Sequence, residues 1–182
     1  DKHGTVSDWR RLGLWRSADV PASSMSRDTA SGPASRFWFS WNHMAGGSPI
    51  RHAWIVIGER LEWKNSCGIS YEAAPDRIAL SLGDGDHWTP QVAVASAHGL
   101  RSSLCKMLSP YLYVDRTAGL FQLSVKLAFS DVFLGEKKIW MQAINANGEV
   151  APWKEAGQFT VTGPNAAPEV ISVQPHAQEQ RK

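Results

Sequence analysis

The densest grouping of chemically capable side chains is Gly83-Asp84-Gly85-Asp86-His87-Trp88, where two carboxylates and an imidazole fall within six residues. Such a set could clamp a calcium ion or act on a substrate. Calcium takes about six to eight oxygens, and an EF-hand loop needs more acids and a closing Glu, which this stretch lacks. A tight turn with solvated acids, its Trp88 packed on the edge of the fold, is the simpler expectation. Cys67 and Cys105 are the only cysteines, 38 positions apart. With no CxxC spacing and no adjacent His, they point to one disulfide formed in an oxidising compartment, the alternative being two buried thiols; a metal site is not expected.

Nine tryptophans in 182 residues is a high count. Buried, an indole contributes about 150–250 Å² to a core; exposed, it can stack on a sugar ring. Trp54, Trp63, Trp88 and Trp140 are the candidates for ligand contact, together with Asp84, Asp86 and His87 of the turn. For catalysis there is no nucleophile elbow, phosphate loop, HExxH helix or paired-carboxylate motif. The six histidines, His3, His43, His52, His87, His98 and His176, are scattered, and no local context singles out a triad of His87, Asp86 and a Ser. No catalytic residue, cofactor or metal is assigned, and the chain is expected not to be an enzyme.

The elements that must carry these side chains are strands. Period-two alternation dominates and helical periodicity is almost absent. Phe37, Phe39 and Trp41 share one face of the stretch 37–41, and 121–129 alternates almost strictly. Further strands are expected over 52–57, 67–71, 77–82, 104–108, 138–144 and 157–161, most bounded by Gly, Pro, Asn, Asp or Ser. Short strands at this spacing predict an all-β, immunoglobulin-like antiparallel β-sandwich of about seven to nine strands, with an up-and-down barrel as the weaker alternative. Its expected core is Phe37, Phe39 and Trp41; Ala53, Ile55 and Ile57; Ile78 and Leu80; Phe121, Leu123, Val125, Leu127 and Phe129; and Ile139, Met141 and Ala143. Both faces of the Trp54 and Trp140 strands carry apolar residues, so their buried side is not decided by pattern.

Charge and hydropathy exclude other classes. Nineteen Lys and Arg against seventeen Asp and Glu leave a formal charge of +2, with no block of one sign, so no nucleic-acid partner is expected. Arg10 and Arg11, and Lys137 and Lys138, read as solvated strand edges. No run approaches the roughly 18–20 apolar residues of a membrane span, so direct membrane insertion of this domain is not expected. Asp1 does not read as a natural start, and a signal peptide or anchor would belong to parts of the protein outside this stretch. The Ser-containing segments 22–35 and 93–103 read as flexible loops able to carry O-linked sugars.

An internal echo organises the chain. Gly4, Val6, Trp9 and Gly13 match Gly148, Val150, Trp153 and Gly157 at one constant offset, with Trp15 set against Phe159. Each copy is followed by a polar stretch with proline. Residues 1–17 therefore read as the closing hairpin of a preceding repeat, 18–162 as one complete unit, and 163–182 as a linker and the start of a following repeat. On this reading Trp9 and Trp153 are architectural.

The order of Phe37 to Trp41, Cys67 with Tyr71, Gly83 to Trp88, Ser102 to Cys105, Leu120 to Phe129, and Gly148, Trp153, Gly157 and Phe159 resembles a bacterial Ig-like or fibronectin-III-like repeat domain of long secreted or cell-surface proteins. The likeness covers most of residues 20–175. It departs at Arg27, where the linker would carry Pro, and at Leu108-Ser109-Pro110, in place of a small-residue turn. The resemblance implies a non-catalytic structural or adhesive module that spaces domains or mediates protein contacts. Its location would be extracellular, at the cell surface or periplasmic, and its partners other repeats of the same protein or surface proteins. Two further expectations are kept: a carbohydrate-binding module meeting polysaccharide through exposed Trp, and an accessory subunit of a larger extracytoplasmic assembly accepting strands at its edges.

Overall fold

Alternation becomes two facing sheets in the computed structural model, which describes residues 22–42, 49–115 and 120–163. The strands, in chain order, are β1 (Ala22–Arg27), β2 (Ser31–Gly32), β3 (Ala34–Asn42), β4 (Ile50–Gly58), β5 (Cys67–Glu72), β6 (Arg77–Leu80), β7 (Val92–Ala93), β8 (Cys105–Asp115), β9 (Leu120–Phe129), β10 (Gly135–Asn145) and β11 (Lys154–Val161). Eleven replace the expected seven to nine because β2 and β7, of two residues each, are too short to leave a pattern. The smaller sheet runs β1-β3-β9-β8 and the larger β2-β11-β10-β4-β5-β6-β7. All pairings are antiparallel except β2 with β11, which is parallel. This is the strand order of an immunoglobulin sandwich of the variable type.

All the residues expected in the core are buried between the sheets. The odd positions of β3 and β9, of β4 from Ala53 and of β10 from Lys137 face inward, which decides the Trp54 and Trp140 strands: both indoles point away from the other sheet. Tyr71, Met107, Phe159 and Val161 complete the core. Burial, with the Asp76 carboxylate beside its hydroxyl, pushes the Tyr71 phenol well above its ordinary range.

Cys67 and Cys105 form the disulfide, with Cα atoms 5.9 Å apart. It joins the start of β5 in one sheet to the start of β8 in the other, not the two central strands that an antibody domain bridges. The central strands β3 and β10 instead contribute Phe37, Phe39, Ile139 and Met141, all fully buried, to one core between the sheets.

Three local expectations are corrected. The stretch 22–35 is not a flexible loop: Ser23 is buried, Met25 packs on the core, and β1 pairs with β3 along its whole length. Small Ser and flexible Met fit a pleated edge even without strong strand propensity. Met25 also fills the place a Cβ would take on Gly157, which seals β1 against β11 and gives one glycine of the echo a packing reason. The stretch 93–103 is an ordered cap. It contains a 3-10 turn, Val94–Ser96, with Val94 and Ala97 buried, and Ser102 Oγ accepts the N–H groups of Leu104 and Cys105. Finally, Lys137 is not a solvated edge. It is 3% exposed, donates to Glu59 and to the Leu134 carbonyl at 2.9 Å each, and lies over the Phe133 ring, so its charge is compensated where it is buried. β8 runs past its expected end because Pro110 sits beyond a bulge on an edge strand, where a missing donor is tolerated.

The strands run from Ala22 to Val161, within the unit read as 18–162. Residues 1–17, with the Trp9 copy of the echo, and 164–182 lie outside the described residues. The register sets the two ends of the sandwich apart. Ala22 pairs with Asn42 and Asn42 with Leu120 at one pole, whereas Val161 pairs with Gly135 beside Gly58, Cys67 and Cys105 at the other.

Candidate functional site

Turning Ile69 and Tyr71 of β5 and Ile78 and Leu80 of β6 inward leaves Gly68, Ser70 and Ala79, all small, on the outer face of the larger sheet, with Glu72 and Arg77 beyond them. One rung across β10, β4, β5 and β6 reads Gln142, Trp54, Ser70, Ala79; the next reads Trp140, Val56, Gly68. Small residues between large ones make a trough. The segment 59–66 folds back over it and lays Trp63 on Gly68, where an added Cβ would stand 3.0 Å from the indole and 2.9 Å from Ser81; no other residue leaves that space. Trp88 arrives from the β6–β7 connection through its bridge to Ser81. Trp63 then meets Trp88 edge-on at 5.0 Å between ring centroids and Trp153 at 5.7 Å. Beneath this layer Val56 and Trp140 are only 1% and 9% exposed although they face away from the core. The cleft that remains, about 400 Å³, is lined by Trp54, Trp63, Ser70, Ala79, Trp88 and Gln91.

Three of the four candidate tryptophans therefore converge from three separate segments. Trp140 does not line the cleft; it is covered. Ser70, Ala79 and Gln91 were not anticipated from sequence. The signal for the first two was present in the alternation itself, where the large inward residues Ile69, Tyr71, Ile78 and Leu80 flank the small outward ones Ser70 and Ala79.

His52 braces the site from behind. Its ring stacks on Trp54 with centroids 3.9 Å apart, and its Nε2 meets Ser70 Oγ at 2.9 Å. Burial lowers its pKa below the ordinary 6.5, against the opposing pull of Glu72. The folded imidazole thus holds its proton less tightly than the unfolded one, so between the folded pKa and 6.5 the unfolded chain binds more protons. Stability rises with pH across that window and is lost as pH falls through it. Urea titrations either side of pH 6.5 should show this drop, and His52→Gln should flatten it; an unchanged profile in the variant would remove His52 as its source.

No family model matches this chain, and no curated protein matches it significantly.

The turn 83–88 holds the site without lining it, apart from Trp88. Asp84 Oδ1 accepts the N–H groups of Asp86 and His87 at 3.1 and 2.9 Å, and its Oδ2 meets His87 Nδ1 at 2.7 Å. The bond from the His87 backbone, then that from Asp86, draws the Asp84 carboxyl down to about 2. Asp84, Asp86 and His87 are all exposed. The turn docks on the Trp63 segment through Asn65 N–H to the Gly83 carbonyl at 2.8 Å, so its acids shape the loop that presents Trp88. Among the described residues no three His, Cys, Asp or Glu gather closely enough to hold a metal ion, and no helix is long and apolar enough to cross a membrane.

Proposed function

We propose that the chain is a non-catalytic adhesive or spacing module of a multi-domain extracytoplasmic protein, set in series with further units, with the outer face of its larger sheet as its contact surface. The observation that carries this reading is the opposite placement of Ala22 and Val161 at the two poles of the sandwich. Units joined at such points extend end to end, as repeats in an array do. Leu61, Leu82, Val132 and Leu134, four of the exposed large apolar residues, belong to connections at the pole where the chain leaves, which suits an abutting neighbour. The disulfide favours an oxidising compartment, and the likeness to bacterial Ig-like or fibronectin-III-like repeats agrees with both points.

The test is made in the source cells. Cys67 and Cys105 should resist a membrane-impermeant maleimide until reductant is added, while an antibody to this module reaches it from outside. Beads coated with the chain should hold envelope material, and Trp54→Ala with Trp88→Ala should release it. Reduced cysteines and inaccessible epitopes in intact cells would overturn the placement; adhesion indifferent to both substitutions would overturn the contact face.

A further inference from the structure

We propose that the trough between Trp54 and Trp88 is a binding site for a short neutral saccharide, with a sugar ring stacked on the free side of the Trp54 indole and its hydroxyls meeting Ser70 and Gln91. This rests on the reading of the outer face as the contact surface and names what that face holds. The volume, about 400 Å³, lies toward the lower end of the roughly 300–1,000 Å³ typical of small-molecule sites. Three indoles, an alanine floor, one hydroxyl and one amide match a molecule with C–H faces and a hydroxyl rim. Apolar walls with a few placed polar groups are what such recognition requires. None of the six lining residues is charged, so an acidic sugar would lose hydration at its carboxylate and gain no ionic partner among them. Six lining residues also fall well short of the roughly 20–30 per side of a stable protein interface.

The site is held ready before any ligand arrives. His52 occupies one face of Trp54 and is itself held by Ser70, so only the other face is offered to a ligand in the cleft. Trp63 is pinned between Gly68 below and Trp88 and Trp153 beside it. Side chains already fixed lose little further rotamer freedom on binding.

The experiment titrates the folded, disulfide-intact chain with cellobiose, xylobiose, maltose and di-N-acetylchitobiose, with digalacturonic acid as the charged control, following indole N–H resonances and tryptophan fluorescence. At least one neutral disaccharide should shift the Trp54 and Trp88 signals, with Kd on the order of 1 mM. Trp54→Ala should weaken it by about tenfold or more, and Gln91→Ala, at an exposed position whose loss leaves the core intact, by a few fold. The proposal falls if none of the neutral sugars moves an indole signal, if the shifts survive Trp54→Ala, or if digalacturonic acid binds equally well. Should bead adhesion depend on Trp54 and Trp88 while no sugar binds, the contact face stands and the saccharide does not.

Discussion

Phe37→Ala is expected to destabilise the fold by ~3–5 kcal/mol, the range for truncating a fully buried phenylalanine. Phe37 is 0% exposed and sits where the sheets meet. It stacks on Phe39 of its own strand at 5.9 Å, and turns an edge to Phe129 of β9 at 6.2 Å and to Phe159 of β11 at 5.3 Å. Phe129 and Phe159 also touch each other, at 5.4 Å, so one ring's removal opens a cavity among three others on both sheets. Such rings cannot collapse into the gap without leaving their rotamers, so the cavity term remains. Urea denaturation should show a lower midpoint at an unchanged slope. Phe37→Leu, which keeps most of the volume, should lose clearly less. A loss under ~1 kcal/mol in the Ala variant would mean that the aromatic cluster does not hold the sheets together.

Opening the Cys67–Cys105 bridge is expected to lower stability by ~2–4 kcal/mol. A closed loop of 38 residues corresponds to roughly 4 kcal/mol of unfolded-state entropy in the chain model, with measured values often smaller. At roughly 2–4 °C per kcal/mol for a chain of this size, the melting temperature should drop by about 10 °C. The consequence is also local. The bridge ties the start of β5, next to the Gly68 that seats Trp63, to the start of β8 beneath the 93–103 cap. Hydrogen exchange in Cys67→Ser/Cys105→Ser should accelerate first at those two strand starts. Uniform protection across the chain, with an unchanged melting temperature, would mean that the sheets are held without the bridge.

Much of this architecture was legible in the residues. Phe37, Phe39 and Trp41, or Phe121 through Phe129, could face only one way, because a pleated strand sends alternate side chains to opposite sides. The pairing of Cys67 with Cys105 followed from their being the only two. Less visible were β1, whose Ser-rich sequence imitates a linker, and the burial of Lys137, which depends on Glu59 from another strand's end and on the Leu134 carbonyl. The acidic turn drew attention for its chemistry, yet its carboxylate satisfies its own backbone, a distinction that requires atomic positions.

The sequence by itself determined eight of the eleven strands, the inward face of most of those and the class of fold, because period-two patterning is a local property of the backbone. Only the tertiary structure decided which tryptophans meet. Alternation states that Trp54 and Trp140 share the outer face of adjacent strands only once β4 is known to lie beside β10, and strand order is a long-range matter of pairing. That Trp63 returns over Gly68 and Trp88 joins it, covering Trp140 while leaving Trp54 open, depends on space left by Gly68, Ser70 and Ala79 on two other strands. The four indoles were equal candidates in the chain, and packing across strands made Trp54, Trp63 and Trp88 line one cleft and left Trp140 covered outside it.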